Sequence, residues 1–206
     1  MQLSAAGYHL GDASPRMRCR AVRAIGRHRD LVRMPRVAHL ARHDPDLRVR
    51  VEAITSMRTM PRELLASYVT LLVDAISPTE YDVARTARVQ HWARSVRAAA
   101  MCTIQRIDRT VLALYSAEFA KLAQDADDGL RTAAVYTLSL LDAAALESHV
   151  DVLMDACLDE SCGVRVSAYV ALAVVDPQTG VGGALCDGVV AVRKRILSWL
   201  AMKARD

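Results

Sequence analysis

Residues 125–138 read Asp-Ala-Asp-Asp-Gly-Leu-Arg-Thr-Ala-Ala-Val-Tyr-Thr-Leu, and residues 159–172 read Asp-Glu-Ser-Cys-Gly-Val-Arg-Val-Ser-Ala-Tyr-Val-Ala-Leu. Both open on Asp and carry an apolar residue five places on, Arg at six, Ala at nine and Leu at thirteen. The same frame fits Asp12 with Met17, Arg18, Ala21 and Ile25, and Asp44 with Val49, Arg50, Ala53 and Met57. Asp187 leads to Val192, Arg193 and Leu200, with Ile196 in the small position. A sixth copy, Val96, Arg97, Ala100 and Ile104, has His91 where Asp stands elsewhere. Offsets that differ by four fall on one helix face, so each copy predicts a helix that buries its apolar and small positions together.

Seventeen residues after the leading position come Asp108, Asp142 and Asp176. Each is a plausible N-cap, where a carboxylate accepts orphan backbone N–H bonds at the positive end of the helix dipole. The series 91, 125, 159 and the series 108, 142, 176 both advance by 34 residues. The unit is therefore a pair of helices repeated in register, and one pair alone cannot bury its apolar face.

The rest of the chain is consistent with such an array. In 206 residues, 52% are apolar, only 4% are aromatic, and there are nine Gly and six Pro. That composition argues against a β-sandwich or barrel, and the apolar content excludes disorder. No apolar run reaches the roughly 20 residues needed to cross a bilayer. The opening Met1-Gln-Leu-Ser-Ala-Ala has no basic start and no long apolar stretch, so a soluble protein of an interior compartment is expected, cytoplasm and organelle being undistinguished. Cys19, Cys102, Cys157, Cys162 and Cys186 form no Cys-x-x-Cys and read as reduced packing residues.

The pattern Asp-x-x-x-x-Val-Arg-x-x-Ala-x-x-x-Leu resembles the second helix of a HEAT repeat, of the armadillo-like class, and covers nearly the whole chain. The resemblance implies an all-α, right-handed α-solenoid of about five to six helix pairs. Residues 1–206 then form a single repeat domain with motifs starting near 12, 44, 91, 125, 159 and 187. It also implies that second helices line the concave side, and that Asp and Arg of neighbouring repeats form a hydrogen-bonded ladder. Carried over, Asp12, Asp44, Asp125, Asp159 and Asp187, with Arg18, Arg50, Arg97, Arg131, Arg165 and Arg193, are structural. A guanidinium near a helix interface is costly unless its donors find carboxylates or carbonyls.

Two irregularities interrupt the array. The interval from 44 to 91 is longer than the others. An apolar helix is expected over Arg62 to Ile76, followed by an insertion at about 77–90 with a turn and a short helix near Tyr81 to Val89. Such an insertion is either a binding element or a tolerated loop. The last interval is shorter and holds Gly180-Val-Gly-Gly, which follows no strand and reads as a degraded terminal repeat rather than a phosphate loop.

Charge is also uneven. Residues 1–100 hold 17 Arg against nine acids, whereas residues 101–206 hold ten basic against 14 acidic side chains. Arg16, Arg20, Arg23 and Arg27 lie within about 60° of one another on a helical wheel, away from Met17, Ala21 and Ile25. Arg48 occupies the position equivalent to Arg16. This stripe is either a cradle for phosphates or an acidic partner, or a solvated face in an Arg-biased chain. In later repeats the same outward positions are Gly129, Ala133, Tyr136 and Leu140, then Gly163, Ser167, Val170 and Val174. A wall that turns from Arg-rich to small and apolar suits a partner helix or extended segment, unless neighbouring repeats cover it.

Other sites are weaker. His39 and His43 have i, i+4 spacing but no third ligand, so no metal and no cofactor are expected. Trp92 and Trp199 invite comparison with HEAT-like DNA glycosylases, yet neither recurs at an outward offset. HEAT-like bilin lyases share the architecture without a matching motif. No nucleophile with a base partner and no paired carboxylates stand apart from the repeat. The sequence thus points to a non-enzymatic protein-binding scaffold or adaptor, a subunit of a larger assembly. Its contact residues would be Arg16, Arg20, Arg23, Arg27, Arg48, Tyr136, Leu140 and Val170. The alternative is nucleic-acid backbone binding through the Arg-rich groove, including a glycosylase relative.

Overall fold

In the described motifs the leading Asp does not cap a helix directly. It stands two residues before the N-cap, and its carboxylate accepts the backbone N–H of that residue: Ser14 N–H donates to Asp12 at 2.7 Å, Asp46 N–H to Asp44 at 2.9 Å, Asp127 N–H to Asp125 at 2.9 Å and Ser161 N–H to Asp159 at 2.7 Å. These Asx turns stop the preceding chain and aim the next helix. Asp46 and Asp127 are the caps of their helices and accept from Arg48 N and Leu130 N.

A computed structural model describes residues 9–77 and 86–175, and its contacts fall into two units, Met1–Asp108 and Arg109–Asp206, where the sequence suggests a single repeat domain. The described residues are all-α, with twelve helices and no strand. The first unit holds α1 (Pro15–His28), α2 (Met34–His43), α3 (Leu47–Met57), α4 (Arg62–Ala66), α5 (Val69–Ile76) and α6 (Ala87–Ile104). The second holds α7 (Arg109–Ala113), α8 (Ser116–Leu122), α9 (Asp128–Ser139), α10 (Ala143–Glu147), α11 (Val150–Ala156) and α12 (Cys162–Val175). The copy led by Asp187, with Arg193, and the cap expected at Asp176 lie outside the described residues.

Within the first unit α3 packs on α1, α2 and α6, and α5 packs on α6. Within the second, α9 packs on α8 and α12, and α12 also meets α10 and α11. The motif's apolar and small positions make these contacts. Val49, Ala53 and Met57 are fully buried in α3, as are Ala134 and Leu138 in α9 and Val164 and Ala168 in α12. Each fully buried Val, Leu or Met is worth roughly 1.5–3 kcal/mol against exposure.

In three of the described pairs the first helix is broken, which the apolar periodicity did not foretell, whereas α2 is continuous. The helix expected over Arg62 to Ile76 divides at Ser67–Tyr68, and the equivalents divide before Ser116 and Val150. At each break an N–H reaches back three residues: Tyr68 to Leu65 at 3.0 Å, Tyr115 to Leu112 at 2.9 Å and His149 to Leu146 at 2.8 Å. Leu65, Leu112 and Leu146 are buried. The tight turn keeps both halves' apolar faces on the same core, so the sequence periodicity runs through it unbroken. Of the expected caps, Asp142 accepts from Ala145 N at 2.9 Å, and Asp108 directly precedes α7.

The insertion differs from the expectation. Residues 78–85 lie outside the described structure, but Ala87–Val89 form the first turn of the 18-residue α6 rather than a separate short helix. His91 is therefore inside a helix and exposed, not ahead of one. Without a carboxylate at this position no Asx turn halts the chain, and helix propagates back from Val96 to Ala87.

Candidate functional site

In four of the described motifs the Arg closes its own turn. Arg18 Nη1 donates to the carbonyls of Asp12 (2.8 Å) and Ala13 (3.2 Å), Arg131 Nη1 to those of Asp125 (3.0 Å) and Ala126 (3.2 Å), and Arg165 Nη1 to those of Asp159 (2.8 Å) and Glu160 (2.9 Å). Arg50 Nε donates to the carbonyl of Asp44 at 2.6 Å. Two of these arginines also reach the Asp of the following motif. Arg18 grips Asp44 through Nε and Nη2 at 2.7 and 2.8 Å, and Arg131 grips Asp159 in the same way at 2.8 and 3.0 Å. Each fork satisfies a carboxylate that also holds an Asx turn, so the charges are compensated where they are buried. The Arg131 hydrogen bonds hold the Asp159 carboxyl below its ordinary value.

Arg97 follows a different route. Because α6 begins early, the carbonyls near His91 are inside the helix, and the buried Arg97 Nε instead donates to the carbonyl of Ile76 at the end of α5, 2.8 Å away. The aspartates and arginines assigned to the ladder are thus engaged in backbone and ion-pair geometry wherever they are described.

The arginine stripe on α1 is exposed at Arg16, Arg20, Arg23 and Arg27. Two of the five stripe residues are already paired. Arg23 forks onto Glu52 of α3 at 3.1 and 2.5 Å, and Arg48 forks onto Asp46 at 2.9 and 2.6 Å, lowering the Asp46 pKa. Arg16, Arg20 and Arg27 have no ion pair among the described residues. The available positive charge is therefore narrower than the sequence stripe.

The second unit presents a different surface. Tyr136 of α9 and Val170 of α12 hold the same position in consecutive repeats and are 47% and 43% exposed. Val166, not singled out from the sequence, lies one helical turn before Val170 and is 54% exposed, and Leu140 is half-buried. The α9–α12 approach is close at Gly163, where an added Cβ would lie 3.1 Å from the Thr132 side chain. Ser167, one turn after Gly163 and expected to face outward, is buried at 8%. The close approach shields that turn and leaves Tyr136, Val166 and Val170 as the apolar row.

No protein-family model matches the chain, and no curated protein does. The chain is similar to the crystal structure of an engineered protein from the Northeast Structural Genomics Consortium. The two are 16% identical, over 92% of this chain and 94% of that one, with a TM-score of 0.59. Similarity at that identity concerns the fold alone.

Other candidate groups resolve as follows. His39 and His43 are exposed, their rings 4.7 Å apart and tilted. Among the described residues no three His, Cys, Asp or Glu side chains gather as a metal site. Trp92 is half-buried and edge-on to His91, while Trp199, Gly180-Val-Gly-Gly and Cys186 lie outside the described residues. The cysteines do not all pack: Cys157 is buried and Cys19 half-buried, but Cys102 and Cys162 are exposed. No described helix is long and apolar enough to cross a membrane.

Proposed function

We propose that the chain is a HEAT-like, right-handed α-solenoid of helix pairs and works as a non-enzymatic protein-binding scaffold or adaptor inside the cell, a subunit of a larger assembly. The observation that carries this reading is the apolar row of Tyr136, Val166 and Val170 on adjacent second helices, exposed while the motif positions beside it are buried. A row repeated at one register across neighbouring helices suits a helix or extended segment laid across them. The Asp and Arg side chains spent on turns and forks are support for that wall and take no part in chemistry. Affinity purification from the native source tests the reading. Tyr136→Glu with Val170→Glu is expected to lose a partner that the parent chain retains, and an unchanged set of co-purifying proteins ends it.

A second reading rests on Arg16, Arg20 and Arg27, which remain exposed without a carboxylate among the described residues. They favour phosphate-backbone binding to nucleic acid with little sequence selectivity. Affinity would then fall steeply with salt, and Arg16→Ala with Arg20→Ala would flatten that dependence by about 2 in the log–log slope. No detectable binding at low salt rejects it.

A further inference from the structure

Three arginines stand at the C-terminal ends of the three second helices in the first unit. Arg29 ends α1, Arg58 ends α3, and Arg106 follows Gln105 at the end of α6. Together with Leu31, Met60 and Pro61 they line an open cavity of about 390 Å³. Among the described residues, no acidic side chain lines it. All three arginines are exposed, and none has an ion pair among the described residues. The acid next to Arg29, Asp30, is committed to Arg33, whose side chain and backbone N–H both donate to it.

Helix C-termini attract cations, which accounts for a basic residue at each end. That does not account for the backbone of Arg29. Its φ of 51° and ψ of 43° are left-handed, where glycine is the usual resident. Its N–H bonds to Gly26 O and the N–H of Asp30 to Ile25 O, the paired bonds of a Schellman turn. An arginine at a left-handed position that favours glycine, and facing the same cavity as two others, points to a use for its side chain.

We propose that this cavity binds a phosphate monoester carried on an apolar group. Three guanidinium forks without carboxylates repel one another, and a dianion with several acceptor oxygens relieves that repulsion better than a single carboxylate. Leu31, 40% exposed, together with Met60 and Pro61, supplies an apolar wall for the group that bears the phosphate. The site shares no residue with the apolar row or with the α1 stripe, so its existence does not depend on either functional reading.

The test is titration of the whole chain with phenyl phosphate, inorganic phosphate and benzoate, followed by NMR of the arginine Nε–H groups. Phenyl phosphate is expected to give saturable shifts at Arg29, Arg58 and Arg106, with inorganic phosphate weaker and benzoate weaker still. Arg58→Gln with Arg106→Gln should reduce phenyl phosphate affinity by about tenfold or more. Arg29→Gly should weaken binding also, and it relieves the backbone, so loss of binding there is not loss of folding. Shifts that do not saturate, that spread equally over Arg16, Arg20 and Arg27, that persist in the Gln variant, or that benzoate reproduces at the same concentration overturn the proposal.

Discussion

The guanidinium of Arg131 in α9 and the carboxylate of Asp159, 28 residues later, are joined by two hydrogen bonds of 2.8 and 3.0 Å, while the same carboxylate accepts the N–H of Ser161 at 2.7 Å. One acid thus closes the turn into α12 and ties that turn to the preceding repeat. Asp159→Asn is expected to cost about 1–3 kcal/mol at neutral pH. The native carboxyl is held below its ordinary value by Arg131. As pH falls, the unfolded chain takes up the proton first, so this stabilisation is present above the ordinary carboxylate range and is lost as pH drops through the native value. Denaturation of the parent and variant chains should therefore differ by a constant amount from pH 7 to about 5 and converge below about pH 4. A difference that persists undiminished at pH 2.5 removes the ion pair as its cause.

Gly26 of α1 faces Ser56 of α3, and an added Cβ would lie 2.9 Å from Ser56 Cβ and 3.3 Å from its Cα. Ser56 Oγ also donates to the carbonyl of Val22 at 3.3 Å, so the serine has little room to retreat. Gly26→Ala removes backbone entropy from the unfolded chain, which alone would stabilise, but overpacking wins here. A net loss of about 1–3 kcal/mol is expected in urea denaturation. Gly11→Ala, with nothing within 4 Å of its added Cβ, serves as the control and should lie within about 0.5 kcal/mol of the parent. Equal effects at the two glycines would rule out the close helix contact.

Much of the fold is readable in the sequence because the second helices obey a simple rule. Positions such as Ala53, Ala134 and Ala168 must be small where helices cross, and Val49, Leu138 and Val164 must be apolar, so spacing alone identifies the buried face. The breaks at Tyr68, Tyr115 and His149 escape that rule, since a tight turn preserves the apolar phase on both sides. Their signal is a Leu followed three residues later by a ring-bearing residue, as in Leu65 and Tyr68 or Leu146 and His149. The arginine stripe was legible as a helix face, but wheel geometry does not show that Arg23 is spent on Glu52 from another helix. Nor can it show that Ser167 is covered, which depends on how closely α12 settles at Gly163. Arg29, Arg58 and Arg106 share no motif offset; they meet only because three helices end side by side.

Arg29 holds a left-handed backbone at the end of α1. Arg29→Gly removes the clash between Cβ and backbone, at the expense of a more flexible unfolded chain and a lost C-terminal cation. The net expectation is a gain of about 0.5–1 kcal/mol, or about 1–4 °C in Tm. Arg29→Ala keeps the strain and loses the charge, and it should not be stabilised. A Gly variant no more stable than the Ala variant would show that the left-handed turn carries no strain.

Tyr136 and Val170 are exposed, whereas Leu138, two residues from Tyr136, is fully buried. If the row serves recognition, it contributes little to folding. Tyr136→Ser and Val170→Ser should each change stability by about 0.5 kcal/mol or less, while Leu138→Ala should cost about 2–5 kcal/mol. Thermal or urea unfolding of the three variants checks this. Large losses at both Tyr136 and Val170 would mean that the row is packed against protein in the folded chain and is not open to a partner.

Cys157 and Cys162 are five residues apart and differ in environment. Cys157 is buried at the end of α11, and burial pushes its thiol up to about 12, whereas Cys162 opens α12 in solvent. A thiol with a pKa of about 12 is thiolate on the order of one part in 10⁴ at pH 8, and its burial also blocks access. Cys19 is half-buried and shifted upward by burial as well, while Cys102 is exposed. Under limiting iodoacetamide at pH 8, peptide mapping should find Cys102 and Cys162 alkylated first, Cys19 later, and Cys157 only after denaturant is added. Labelling of Cys157 in the native chain at the rate of Cys162 would mean that α11 does not pack on α12 as described, and the wall that presents Val166 and Val170 would lose its support.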